Sequence, residues 1–389
     1  MTHQSRQCRS LRVDHADWVF LSSIVIQFED FKNPFPALER YRDIYTCFND
    51  DIQGTGAVIL GGVINAVKRS GVPCKDHRAV FLGAGSAGVG VAKQIVEFFM
   101  REGMSEDEAR GCFYLVDTKG LVTTDRGDKL ADHKVYFART DNNGQQLKTL
   151  EEVVDYVKPT ILMGLSTLGG VFTPEILRKM ADWNKAPIIF PLSNPSSKSE
   201  CNYESTITNT DGRALFASGS PFPSFSFTNS SGETHTYYPG QGNNMYVFPG
   251  IGLGTILSKA VRVTDNMIYA SGEALSKALT AEEVEIALLY PDITRIRQVS
   301  VVVARQVIRA AQESKVDRET ALRTMNDENL DAWIKARMYD PHSEVLSLER
   351  EVGAILSSLG PLSPSVNGAN GTNGTNGMNG EDNDKYSKL

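Results

Sequence analysis

RAVFLGAGSAGVGVAKQIVEFFM, residues 78 to 100, decides the fold. Its first five residues, Arg78 to Leu82, form the short apolar run of a buried strand, and Ala87 to Met100 carries apolar residues at helical spacing. Between them stands Gly83-Ala84-Gly85-Ser86-Ala87-Gly88, a GxGxxG that follows a strand and opens a helix. The first glycine permits a tight turn, the second lets backbone approach a pyrophosphate, and the third lets helix pack on strand. The helix N-terminus adds unpaired N–H groups and a positive dipole end. A bare glycine turn is the alternative, but this context points to a nucleotide site made by all six residues.

The acid that takes the ribose 2′-OH in such a unit is Asp117, which ends the next apolar run, Cys112 to Val116. It lies farther from the glycines than the usual ~20 residues because Glu102 to Gly111 is inserted. A loop cap is its other reading. Thr118, Lys119 and Lys134 follow, and a lysine near the adenosine ribose attracts a 2′-phosphate. As ordinary solvated lysines they say nothing, so the cofactor is NADP or NAD.

Outward from this unit the chain alternates. Thr55 to Ser70, Leu150 to Val157 and Thr173 to Trp183 read as helices, the last with Pro174 and Glu175 in its first turn. Thr160 to Met163, Pro187 to Phe190 and Ala214 to Ala217 read as strands, and residues 273 to 338 are strongly helical. Strands alternating with helices predict an α/β fold, a doubly wound parallel sheet of Rossmann type.

Two acidic pairs stand before it. Glu29-Asp30 lies in VIQFEDFKNPFP and Asp50-Asp51 in CFNDDIQGT. Like charges flanked by Phe28, Phe31 and Phe48 are costly to bury without compensation. Carboxylates with no nearby His or Cys suit Mg²⁺ or Mn²⁺. Two surface helix caps are the alternative. Asn194 follows the strand PIIFPLS, where ligands of open α/β sheets collect, and Asn243 and Asn244 lie in PGQGNNMYVFPG. Their amides suit a substrate carboxylate or a nicotinamide, or simply a loop.

Composition sets outer bounds. The chain of 389 residues carries 40 Lys and Arg against 47 Asp and Glu, a net charge of −7, so it has no electrostatic footprint for nucleic acid. No apolar run approaches the ~20 residues that cross a bilayer. Five scattered cysteines without a CxxC exclude a zinc knuckle and a disulfide framework and point to a reducing compartment. Residues 1–24 form a leader in which Asp14 and Asp17 speak against a secretory signal. From Pro361 the repeated Asn-Gly segment reads as disordered and ends in Ser387-Lys388-Leu389, a peroxisomal address presented to an import receptor. Without that signal in use, the cytoplasm is expected.

QFEDF, YRDIYTCFNDDIQGT, FLGAGSAGVGVA, PLSNPSSKSEC, ALFASGSPF and PGQGNNMYVFPGIGLG stand in one order. Together, over about Val25 to Gly360, they resemble the malic enzymes. The resemblance implies oxidation of malate with reduction of NAD(P)⁺, then decarboxylation to pyruvate and CO₂. It implies Glu29, Asp30 and Asp51 as metal ligands, with Asp50 in the catalytic group beside the metal. It places Gly83, Gly85, Gly88 and Asp117 at the dinucleotide, and Asn194 and Asn244 at the substrate and nicotinamide. Thr118, Lys119 and Lys134 look like the NADP-using branch.

Family members also carry a long N-terminal part that supplies the catalytic tyrosine, the lysine base, a substrate-binding arginine and much of a dimer interface. Nothing here matches it, so no catalytic acid or base is assigned. The expected organisation is a leader (1–24), a remnant with the metal ligands (25–51), the dinucleotide domain (52–243), a helical part of an incomplete second domain (244–360) and the tail (361–389). The helices from Val247 onward are expected to expose apolar surface. A cofactor-binding fragment without turnover, or one pairing with a full-length relative as part of an oligomer, is the alternative to an active enzyme.

Overall fold

The computed structural model describes residues 24–31 and 33–340. The leader up to residue 23, the Asn-Gly tail and its Ser387-Lys388-Leu389 ending lie outside the described residues.

In chain order the elements are β1 (Ile26–Phe28), α1 (Phe35–Tyr41), β2 (Cys47–Asn49), a π-helical turn (Asp50–Gly54), α2 (Thr55–Ser70), β3 (Ala79–Leu82), α3 (Ser86–Arg101), α4 (Glu106–Gly111), β4 (Phe113–Asp117) and β5 (Gly120–Leu121). Then come α5 (Asp132–Val135), α6 (Leu150–Val157), β6 (Ile161–Gly164), α7 (Pro174–Trp183), β7 (Ile188–Pro191), α8 (Tyr203–Asn209) and β8 (Leu215–Ser218). The hairpin β9 (Phe225–Thr228) and β10 (Thr234–Tyr237) precedes β11 (Gly240–Gln241). Five helices follow: α9 (Phe248–Leu257), α10 (Asp265–Ser276), α11 (Ala281–Glu285), α12 (Ile296–Glu313) and α13 (Asp327–Lys335).

The central sheet has the order β11-β8-β7-β6-β3-β4-β5. From β3 the chain first adds β4 on one side, then returns to add β6 on the other. The order reverses between β3 and β6, so a crevice opens at their carboxyl ends, where ligands of such sheets bind. All pairs are parallel except β4 with β5, which departs from the all-parallel expectation because Thr118-Lys119 turns the chain straight back on itself. The helices and strands expected around the glycine motif are present, with each of these strands beginning one residue later than its apolar run.

Alternation along β3 divides the core. Ala79 and Phe81 face α2 and α3, whereas Val80 and Leu82 face α6, α7 and α8. All four are buried, and each large apolar side chain so buried contributes about 1.5–3 kcal/mol. A strand buried on both faces reads as a continuous apolar run, which is how RAVFL reads.

Helix α2 is buried almost throughout because α3 and α10 cover it. A Cβ on Gly272 of α10 would lie 2.4 Å from the Ala57 carbonyl oxygen, so the two backbones meet directly. Helix α10 therefore packs on the helical layer that covers the sheet, α12 packs on α10, and α9 and α13 pack on α12; the described residues up to Arg337 form one compact unit. Helix α9, FPGIGLGTIL, is apolar on every side. Gly250 and Gly254 press on Val303, Ala304 and Val307 of α12, while Ile256 and nearby Val261 remain exposed.

Candidate functional site

β1 and β2 pair in parallel, with Ile26 opposite Cys47, Gln27 opposite Phe48 and Phe28 opposite Asn49. Glu29-Asp30 and Asp50-Asp51 leave the same end of this ribbon side by side. The distant acidic pairs thereby converge, and carboxylate oxygens of Glu29, Asp30 and Asp51 lie within 4.8 Å of one another. The Phe31 N–H donates to Asp51 Oδ2 at 3.3 Å. Asp30 holds a left-handed backbone with φ 60°, a strained conformation for a residue with a Cβ.

Asp50 is buried behind them in the π-helical turn. Asn49 caps this turn by accepting from the Ile52 N–H, and Gln53 accepts from the Asn49 N–H. Only glycine fits at residue 54, since a Cβ there would lie 1.6 Å from Asp50 Oδ1. The Asn244 amide donates to Asp50 Oδ2 at 2.6 Å, while Oδ1 is buried without a hydrogen-bond partner. Burial, then the neighbouring Glu29 and Asp51, push the Asp50 carboxyl up to about 8. Burial also raises Asp51, against the donation from Phe31. Converging carboxylates, an orphaned buried oxygen and no cation paired with them among the described residues fit a hard divalent ion.

The nucleotide loop lies one helix away. Ile52 of the π-helical turn touches Gly90 of α3, the helix that the glycine motif opens. Gly83 has φ +120°, and a Cβ there would lie 2.4 Å from the Leu165 carbonyl oxygen. A Cβ on Gly88 would lie 2.0 Å from the Gly83 carbonyl oxygen, whereas Gly85 faces open space. The first and third glycines thus serve packing, and the second leaves room for a phosphate at the N-terminus of α3. Ala84 is buried beneath the turn, and Ser86 and Ala87 form the half-buried first turn of the helix.

Asp117 ends β4 beside this loop and is not a free acceptor. Arg126 grips both its oxygens at 2.9 Å, Lys134 Nζ donates to Oδ2 at 2.7 Å, and the Lys119 N–H donates to Oδ1 at 2.9 Å. Burial pushes this carboxyl up, but these donors outweigh it and hold it well below the usual carboxylate range. Lys119 Nζ and Arg126 Nε both reach Asp128, at 2.6 Å. In this network three cations meet two carboxylates. Thr118 is exposed at the turn. Arg126 is the member of this network that sequence reading missed; a basic residue in the TTDRGD turn after Asp117 was its only signal.

The asparagines separate in role. Asn244 joins Asp50. Asn243 turns its side-chain oxygen back to the Met245 N–H and caps the next turn. Asn194, exposed in the loop after β7, accepts from Ser220 Oγ at 2.7 Å, which orients its amide at the carboxyl edge of the sheet.

Residues 52–312 match the family model described as the malic enzyme NAD binding domain. The chain is 46% identical over 320 residues to the NADP-dependent malic enzyme of Dictyostelium discoideum, covering 82% of this chain and 57% of that protein. It is 39% identical over 324 residues to the mitochondrial NAD-dependent malic enzyme of Ascaris suum, covering 83% and 48%. Among solved structures, the malic enzyme of Pyrococcus horikoshii superposes with a TM-score of 0.61 at 25% identity, covering 86% of this chain and 69% of that one. The chain thus spans about half the length of the relatives it matches by sequence. With its nucleotide loop, acidic cluster and sheet order in place, the chain belongs to the malic enzyme family.

Proposed function

We propose that this chain carries the cofactor-binding and metal-binding part of an oxidative, decarboxylating reaction on malate, yielding pyruvate and CO₂ as NADP⁺ is reduced. The convergence of Glu29, Asp30 and Asp51 at one end of the β1–β2 ribbon, on the helix that the glycine loop opens, carries the reading. These three would hold Mg²⁺ or Mn²⁺. An ion held there would supply Lewis acidity toward a substrate oxygen and toward the negative charge of the decarboxylation product. Asp50, held by Asn244, lies buried behind these three carboxylates and would support an ion bound there. Asn194 presents an amide to the substrate or nicotinamide. The backbone around Gly85 takes the pyrophosphate.

NADP is favoured over NAD because the Asp117 oxygens are already engaged and the surrounding network has one more cation than carboxylates. A ribose hydroxyl finds no free acceptor in Asp117, whereas a 2′-phosphate finds Lys134 and Arg126.

The test titrates purified chain with NADP⁺ and NAD⁺, then follows malate-dependent reduction with Mn²⁺. Turnover supports the enzyme reading, and absence of cofactor binding overturns both it and the assignment of the glycine loop. Cofactor binding without turnover is the second reading. Co-purification with a longer family member would place the chain in an oligomer. Ser387-Lys388-Leu389 is proposed to address the chain to peroxisomes, and unchanged distribution on its deletion would refute that.

A further inference from the structure

Glu200 is fully buried in the loop between β7 and α8, and no Lys, Arg or His pairs with it among the described residues. Donors alone surround it. Oε1 accepts from the Ser166 N–H and Ser166 Oγ, each at 3.2 Å, and from Ser193 Oγ at 2.5 Å; Oε2 accepts from the Ser193 N–H at 3.3 Å. Both hydroxyls are themselves acceptors, Ser166 Oγ from the Leu168 N–H and Ser193 Oγ from the Thr167 N–H. Their protons are therefore left to point at Glu200. Four donors and no acceptor are the surroundings that an anionic carboxylate uses in full. Gly164 makes space for it, since a Cβ there would lie 2.2 Å from the Glu200 Cδ.

The position is specific. Ser166 follows β6 and Ser193 follows β7, so one carboxylate ties the two loops at the carboxyl ends of adjacent strands. The β6 loop also borders the nucleotide turn through the contact of Leu165 with Gly83. With the adenosine on the β4 side at Asp117 and the pyrophosphate at Gly85, the nicotinamide half of the cofactor crosses to the β6 and β7 side. A buried charge without a counter-cation is costly unless something compensates it. The oxidised nicotinamide ring is a cation, and the reduced ring is neutral.

We propose that Glu200 is a positioning residue of the cofactor site: it pins the loops after β6 and β7, and its buried charge selects the oxidised over the reduced nicotinamide. This rests on the cofactor reading above. A negative charge beneath the crevice attracts the cationic ring at short range, where little water screens it.

The full chain is titrated with NADP⁺ and NADPH, and the ratio of their affinities is compared in the parent and in Glu200→Gln. The neutral isostere is expected to lower the oxidised-over-reduced ratio about tenfold, and Glu200→Asp to restore most of it. Looser loops alone would weaken both forms alike, so an unchanged ratio overturns the proposal while leaving the cofactor site standing. Failure of the parent to bind either form overturns the cofactor reading and this inference together. Ser193→Ala keeps the charge but removes the dipole that offsets it most closely, and serves if Glu200→Gln does not fold. Its ratio is expected to rise about twofold, and a ratio that holds or falls overturns the proposal.

Discussion

Asn244 and Asp50 are 194 residues apart in the chain and 2.6 Å apart in the fold, joined by an amide-to-carboxylate hydrogen bond. It reaches Oδ2 of the buried Asp50 carboxyl, while Oδ1 has no hydrogen-bond partner among the described residues. Asn244→Ala leaves both oxygens without it. Removing the partner of a buried polar group costs about 1–3 kcal/mol, so the variant should unfold at correspondingly lower urea in metal-free buffer. Asp50→Asn, which removes the charge, should be as stable as the parent or more so.

Asp50 also sets a pH dependence. Its folded value near 8 lies above the ordinary 3.8, so protonation favours the folded state. The stability it contributes is fully present below the ordinary value and is lost as pH rises from about 4 towards 8. Metal-free protein should therefore lose stability over that window, and Asp50→Asn should flatten the loss. Urea midpoints across the range provide the check; a parent as steep as the variant contradicts the assignment.

The carboxylate cluster makes a separate claim. A ligand that binds only the folded state stabilises it by about 2.7 kcal/mol at a hundredfold excess over its dissociation constant. Mn²⁺ should raise the melting temperature of the parent. Asp51→Asn removes one of the three proposed ligands and its charge, and should abolish most of that rise while leaving NADP⁺ binding in place. Equal Mn²⁺ shifts in both proteins would place the ion elsewhere.

The central sheet was legible because its strands are buried on both faces, so Ala79–Leu82 and Ile188–Pro191 read as unbroken apolar runs between turn residues. The ribbon of β1 and β2 was not: three residues each, with no alternation to see, they are specified by their pairing with one another. The acidic pairs were visible as unusual, but their meeting depends on that register. The engagement of Asp117 was hidden for a different reason. Arg126 looks like any charged loop residue until the turn after β5 folds back over β4. Glu200 is a charged residue at a wholly buried position, against the common pattern, and its four donors come from two separate stretches, the loops after β6 and β7.

On the proposed cofactor reading, Lys134 should separate NADP⁺ from NAD⁺. It shares Asp117 with Arg126 and is only half-buried, so it can turn to an additional phosphate without leaving the site. Lys134→Gln should weaken NADP⁺ by roughly tenfold, the scale of one charge-assisted hydrogen bond, and should leave NAD⁺ nearly unchanged. Isothermal titration with both nucleotides measures this. An equal loss for both would make Lys134 a structural partner of Asp117 and return the preference to other residues.

His77 supplies the opposite pH dependence. It is buried against Phe99, its Nδ1 is 2.8 Å from Thr160 Oγ1, and its Nε2 has no partner. Burial lowers its value from 6.5 to about 4, against the Val72 backbone and the Asp76 charge, which both favour the protonated ring. The unfolded chain therefore takes up the proton first. The stability His77 contributes is full above pH 6.5 and is lost as pH falls from there towards 4, by about 2–3 kcal/mol. His77→Asn keeps a nitrogen for Thr160 without a titrating ring. It should be less stable than the parent at pH 7, through lost packing on Phe99, and should lose less on acidification to pH 4.5. Urea unfolding of both proteins at the two pH values isolates the term as a difference of differences, in which the other acid-sensitive pairs cancel. Parallel losses in parent and variant would mean that the His77 ring accepts its proton in the folded state.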